Sequence, residues 1–323
     1  RCQREGRGFD PLCPLQNFYM FKSKIITSIL QSILTNKDIR YFKKNFFYYI
    51  FFRLIRKFLK NDLIIKIYNF KVYGSINKNS TSHFLLKKCE FGDYNELNTI
   101  EKISKKNKIF LVDCGCNYGF YSFFTASLSE RNFVVSIEAS PKTSEDFLKN
   151  LNYNNFKNIL FMNKAVSNED HKNLHFNESL NDWESSLNHS NFNLKKITKI
   201  QSTKIDTILK SFDLKDSSLF IKLDIEGHEM NAIEGSLQTI RKFSPIIIIE
   251  FSKFIFDNKT NIEYLKNFLS KYDYKIYDTN KSETQVEEIL MRLDQLTKNY
   301  KTIGNYFLIK NFSALEKQFK SNE

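Results

Sequence analysis

The stretch IKLDIEGHE, Ile221 to Glu229, constrains the fold of this chain most. An apolar run stops at Asp224, and Glu226, Gly227 and His228 follow at once. A strand buried on both faces of a sheet has this form where it leaves the sheet for a loop. The segment IFLVDCGCNYG repeats the arrangement, with Asp113 at the end of the run and then Gly115 and Gly119. PIIIIEF, 245–251, is a third such run and carries Glu250. When buried parallel strands end this way, their polar residues gather along one edge of the sheet. Open α/β folds bind ligands at that edge.

Strands and helices alternate from residue 109 onward. Strands are expected at 109–113, 133–138, 158–162, 218–224, 245–251, 274–277 and 305–310, and helices at 119–130, 142–152, 204–211, 228–242 and 261–271. With right-handed crossovers, this order predicts an α/β fold with a doubly wound, Rossmann-like sheet. Residues 168–198, rich in Asn, His and Ser, interrupt the order and read as an insertion over the crevice, with a short strand near 172–176. LIIKIYNFKVY, 63–73, reads as a short antiparallel β pair.

Charge divides the chain further. The net charge is +13, and residues 1–62 hold thirteen Lys and Arg against four acidic residues, so most of the excess lies there. Ile25, Ile26, Ile29, Leu30, Ile33 and Leu34 repeat with helical spacing, and FFYYIFFRLIRKFL, 46–59, is a second helical candidate. Its apolar run is far short of the ~20 residues a membrane span needs. Basic and aromatic residues together point to peripheral contact of residues 21–60 with an anionic membrane surface, or to packing on the main domain. Residues 1–19 differ in composition and read as a non-native or disordered leader ahead of Met20. The expected order is then leader 1–19, basic helical extension 20–62, main domain 63–312 and polar tail 313–323. The five cysteines give neither a disulfide framework nor a zinc spacing. A cytoplasmic protein, in peripheral contact with the inner face of the membrane, is the expectation.

The glycine loop limits the ligand. Gly115 permits close backbone approach, and Gly119 stands where a helix N-terminus offers unpaired N–H groups. Glu138 ends the next strand, where a carboxylate accepts hydrogen bonds from both hydroxyls of a ribose. A dinucleotide site would carry GxGxxG, whereas Gly115 to Gly119 reads GxxxG and serves a pyrophosphate poorly. A ligand with a ribose and no phosphate fits better. S-adenosylmethionine is such a ligand, and its cationic amino-acid end suits Asp113. Methyl transfer from an activated sulfonium needs a positioned acceptor and a group to take its proton. Asp224 and His228 are the candidates, and Glu250 could bind acceptor hydroxyls. Each has a structural alternative: a helix-start hydrogen bond for His228, the favourable helix N-terminus for Glu226 and Glu229, a buried ion pair for Glu250. Lys222 is expected to reach a carboxylate, and Asp206 to cap a helix.

The segments VDCGCNYGFYS, IEASP, IKLDIEGHEMNAIEG and PIIIIEF together resemble the FkbM-type methyltransferases over about residues 70–310. The resemblance implies S-adenosylmethionine as cofactor and O-methylation as the reaction. It implies that Asp113, Gly115, Asn117 and Gly119 line the methionine end, that Glu138 holds the ribose, and that Asp224, Glu226 and His228 face the reaction. The acceptor it implies is a sugar hydroxyl of a glycan, glycolipid or nucleotide-sugar. Cys116 stands where the family usually has Ala. The sequence argues against a nucleic-acid acceptor, since Asp-Ile-Glu-Gly occupies the place of a base-amine methylation motif and no Pro-Cys nucleophile follows; RNA ribose methylation stays open. A noncatalytic membrane-associated scaffold and a metal-assisted transferase using Asp224, Glu226, His228 and Glu250 are the other readings.

Overall fold

The computed structural model describes residues 28–45, 63–74, 92–179, 194–296 and 302–321, with Phe47, Ile50 and Leu85 besides. The leader 1–19, most of the candidate helix 46–59 and the central part of the insertion lie outside the described residues. The chain divides into two compact units at Phe91 and Gly92.

In the first unit a helix over 28–36 (α1) and a short helix Arg40–Lys44 (α2) precede two strands, Leu63–Ile67 (β1) and Phe70–Gly74 (β2). The strands pair antiparallel from Leu63↔Gly74 to Ile67↔Phe70, as their alternation predicts. Of the apolar stripe on α1, Leu30 and Leu34 are buried and Ile29 is exposed. Asp38 ties the unit together. Its carboxylate accepts from the Tyr68 N–H at 2.8 Å and from the Arg40 guanidinium at 2.6 Å. The β pair thus belongs with the N-terminal unit, so the compact unit boundary falls after it and not at residue 62.

The strands of the second unit are Lys108–Cys114 (β3), Phe133–Ile137 (β4), Ile159–Met162 (β5), Ala165–Val166 (β6), Asn173–Ser179 (β7), Leu194–Thr203 (β8), Ser217–Leu223 (β9), Ile246–Ser252 (β10), Tyr274–Tyr277 (β11), Glu283–Thr284 (β12) and Thr302–Lys310 (β13). Its helices are Tyr94–Lys106 (α3), Phe120–Leu128 (α4), Pro141–Asn154 (α5), Ile205–Leu209 (α6), Glu229–Glu234 (α7), Leu237–Phe243 (α8), Lys253–Phe256 (α9), Lys259–Tyr272 (α10), Val286–Asp294 (α11) and Ala314–Lys320 (α12). Eight strands form one sheet in the order β12-β11-β13-β10-β9-β3-β4-β5. From β10 to β5 all neighbours are parallel, and β13 runs antiparallel to both β10 and β11. Nearly every residue of β3, β9 and β10 is buried, which explains the unbroken apolar runs. The chain leaves β3 for β4 and β5 on one side and returns for β9 and β10 on the other. The switch between β3 and β9 opens a crevice at the carboxyl ends of those strands.

The expected doubly wound sheet is present. The insertion is a separate three-stranded sheet, β6-β8-β7, and the expected strand near 172–176 is β7. The single helix expected at 228–242 is interrupted at Gly235 and Ser236. Asp206 does cap a helix, but not its own: it accepts from the Gln238 and Thr239 N–H groups at 3.0 and 2.7 Å, at the start of α8. Helices α3 and α11 carry no expectation from the sequence analysis. The polar segment 313–323 includes α12, whose Phe319 is buried.

Candidate active site

The loop after β3 is held by backbone contacts. The N–H groups of Gly115 and Cys116 donate to the Ile137 carbonyl at the end of β4, at 2.9 and 3.1 Å. Gly115 has φ +74°, and a Cβ there would lie 1.8 Å from the Asp224 carbonyl oxygen. Only glycine lets the loop rest against the end of β9. Gly119, at φ +87°, precedes α4, and a Cβ there would meet the Phe123 ring at 2.5 Å. Its freedom therefore serves the aromatic cluster beneath the loop, where Phe123 and Phe147 stack at 5.1 Å.

Glu138, 8% exposed, takes a backbone donor on each carboxylate oxygen: Asn117 N–H at 3.0 Å and Ser140 N–H at 2.8 Å. Burial pushes its pKa up to about 7, against the opposing effect of those donors. Ser140 caps α5 by accepting from Thr143 N–H, and Pro141 follows at the first turn. Asp113 Oδ2 accepts from the Ser122 hydroxyl at 2.6 Å, and Ser136 donates to Ser122 in turn at 2.7 Å. Asp113 Oδ1 is buried with no hydrogen-bond partner. Burial raises the pKa of Asp113 above its ordinary value, although the Lys222 charge opposes the shift.

Lys222 stands beside Asp113 on the neighbouring strand and is 3% exposed. Its Nζ donates to Asp224 Oδ2 at 2.6 Å and lies 4.7 Å from the Tyr121 ring centroid. Burial would lower its pKa, but the charges of Asp224 and Asp113 outweigh burial and hold the amine above its ordinary value. The Tyr121 hydroxyl donates to Asp93 at 2.9 Å.

Past Asp224 the chain turns through Glu226, at φ 53°, and Gly227, at φ 97°. Glu229 supports this turn by accepting from the Ile225 and Gly227 N–H groups at 3.1 and 3.2 Å. Asp224, Glu226 and Glu250 each present a carboxylate oxygen within 4.8 Å of the other two. Glu250 is pushed up to about 8, by burial first and then by Asp224. His228 stands apart from this group. Its Nε2 lies 3.0 Å from the Ser167 hydroxyl, Nδ1 is buried without a partner, and its side chain makes no cap to α7. Burial, aided by Lys172, lowers its pKa to about 4, so the ring is neutral near pH 7.

A cavity of about 320 Å³ opens beside Asp224 and Glu250, lined also by Asp93, Asn95, Glu96 and Asn305. Asn305 faces Glu250 across the β10–β13 ladder and donates to Glu96 at 2.9 Å. The candidates therefore fall in two halves. Asp113, Gly115, Asn117, Gly119 and Glu138 surround the loop on the β3–β4 side, and Asp224, Glu226 and Glu250 gather on the β9–β10 side. Asp224 joins them, since its N–H donates to the Cys114 carbonyl at 3.2 Å and its own carbonyl sits against Gly115. Sequence reasoning missed Asp93, Glu96, Tyr121 and Asn305. A signal existed for the first two: Leu97, Ile100 and Ile103 behind them keep helical spacing, which makes Asp93 and Glu96 an acidic helix start.

The family described as Methyltransferase FkbM domain matches residues 113–276. No curated protein sequence matches the chain. Among solved structures, the chain is similar to the methyltransferase FkbM from Methylobacillus flagellatus KT, at 17% identity and a TM-score of 0.38, over 79% of this chain and 57% of that one. The chain thus spans little more than half of that protein's length. An O-methyltransferase from Bacillus cereus in complex with SAH is similar at 12% identity and a TM-score of 0.40, over 68% of this chain and 82% of that one. An rRNA methylase from Streptococcus thermophilus is similar at 12% identity and a TM-score of 0.39, over 68% and 97%.

Proposed function

The chain belongs to the FkbM methyltransferase family, whose cofactor is S-adenosylmethionine, and on that premise we propose that it O-methylates a sugar hydroxyl within a glycan, glycolipid or nucleotide-sugar. The observation that carries the reading is the division of one sheet edge into a loop-and-carboxylate half and a polar cavity, joined at Asp224.

The first half suits the cofactor. Glu138 is fixed by two backbone donors and keeps lone pairs for the ribose hydroxyls. Asp113 Oδ1 has no partner and suits the cationic amino-acid end. Gly115, Asn117 and Gly119 shape the loop between them. When bound, the cofactor supplies a methyl group already activated on a sulfonium.

The second half handles the acceptor. Glu250 takes the proton of the acceptor hydroxyl, whose oxygen would receive the methyl group that the bound cofactor supplies. A carboxylate lifted toward the working pH is matched to that task. Asp224 is engaged by Lys222 at 2.6 Å, and it orients the acceptor instead. Glu226 borders the same space. His228, turned to Ser167 and neutral, positions the insertion and not the proton.

Incubation with methyl-labelled S-adenosylmethionine and a panel of sugars, nucleotide-sugars, glycolipids and RNA tests the reading. Label on a sugar hydroxyl is expected. Label on RNA ribose alone contradicts it.

A further inference from the structure

Four carboxyl groups line the cavity beside Asp224, from Asp93, Glu96, Asp224 and Glu250, and among the described residues no lysine or arginine does. Lys222 is committed to Asp224. Of the other three, Asp93 has the Tyr121 hydroxyl and Glu96 the Asn305 amide as neutral donors. None of the three forms an ion pair among the described residues, and Glu96 is only 5% exposed. Like charges gathered out of water repel, and a cation placed among them relieves the repulsion. Burial first, and then a neighbouring carboxylate, lifts the pKa of all three, against the charge of Lys222. A phosphate there would add to the repulsion.

We infer that the cavity takes an acceptor carrying a protonated amine beside the hydroxyl to be methylated, an amino sugar, and turns away one carrying a phosphate. The inference rests on the reading of this cavity as the acceptor site. An ammonium has three protons to donate, enough for Asp93 and Glu96 together, and leaves the neighbouring hydroxyl for Glu250. The amides of Asn95 and Asn305 both donate and accept, and suit further ring hydroxyls.

The test uses the full chain saturated with S-adenosylhomocysteine and three ring-matched probes: glucosamine, glucose and glucose 6-phosphate. Binding is read by ligand-observed NMR in EDTA. Glucosamine is expected to bind about tenfold tighter than glucose, the worth of one charge-assisted hydrogen bond, and glucose 6-phosphate weakest. Asp93→Asn with Glu96→Gln should erase the advantage of glucosamine while S-adenosylhomocysteine affinity holds. Equal binding of glucosamine and glucose, tighter binding of the phosphate, or binding of none of the three overturns the inference. So does magnesium titrated alone, if it binds and abolishes the glucosamine preference, because Asp224, Glu226 and Glu250 would then hold a metal as the missing cation. Labelled transfer to neutral sugars without amine preference would end this inference and keep the proposed function. Transfer to no sugar would end the function itself.

Discussion

Lys222 and Asp224 are neighbours in sequence and lie 2.6 Å apart across the end of β9. Among the described residues, Lys222 is a positive charge within reach of Asp113, Asp224 and Asp93. Lys222→Met is expected to cost roughly 2–3 kcal/mol, less than a fully buried pair because Asp224 is 36% exposed. Urea unfolding measures it, and a loss near zero would show that these carboxyls do not depend on the lysine. Glu138→Ala removes the carboxylate proposed to hold the ribose and should weaken S-adenosylmethionine binding by roughly 2–3 kcal/mol, ~30- to 150-fold in dissociation constant by calorimetry. Undiminished affinity in a folded variant would place the ribose elsewhere. Glu138 and Asp224 were legible because each ends an apolar run. Glu250 was legible as a residue at a strand end, but not as a carboxyl lifted to about 8. That depends on burial beside Asp224, which only the fold creates. His228 looked equally reactive in sequence, and its turn toward Ser167 could not be read, since 61 positions separate them.

At the scale of elements, the loop after β3 and the turn after β9 are one construction. Gly115→Ala would drive a Cβ into the Asp224 carbonyl at 1.8 Å. Left-handed backbone alone costs a non-glycine residue ~1–3 kcal/mol, and the clash adds to it. The variant should lose stability and both functional halves together, seen as a lower melting temperature and weaker cofactor binding. A variant with near-native melting and cofactor affinity would show that the loop does not need this contact. Strands β3, β9 and β10 announced themselves as apolar runs because both their faces are covered. Helix α3 did not, since its buried Leu97, Ile100 and Ile103 are scattered among Asn, Glu and Lys. The cavity was hidden with it, because α3 and the residue before it supply Asp93, Asn95 and Glu96.

For the whole molecule, strand order decides what meets what, and order is not written in any single segment. The reversed strand β13 lies beside β10 and so brings Asn305 opposite Glu250, 55 positions away. No helix among the described residues is long and apolar enough to cross a membrane. The buried carboxyls set a pH dependence for the fold. Glu138 and Glu229 are lifted from 4.5 to about 7, and Glu250 to about 8. A group with a raised folded pKa binds more protons folded than unfolded, so its contribution is lost as pH rises through that value. His228, lowered from 6.5 to about 4, acts below 6.5 and with the opposite sign. Between pH 6.5 and 8.5 the carboxyls act alone, and the melting temperature without cofactor should fall as pH rises. A flat or rising curve in that window would contradict their burial.

The central claim is that β3–β4 holds the cofactor while β9–β10 performs the transfer, with Glu250 as the base. The most direct measurement is the pH profile of kcat/KM for wild type and Glu250→Gln, with S-adenosylmethionine affinity titrated for both. Wild-type kcat/KM should rise with pH and level off above about 8, as Glu250 ionises. Glu250→Gln should lose ~100- to 10,000-fold in rate and that pH dependence with it, and bind the cofactor as wild type does. A variant that keeps near wild-type turnover and the same profile would contradict the account.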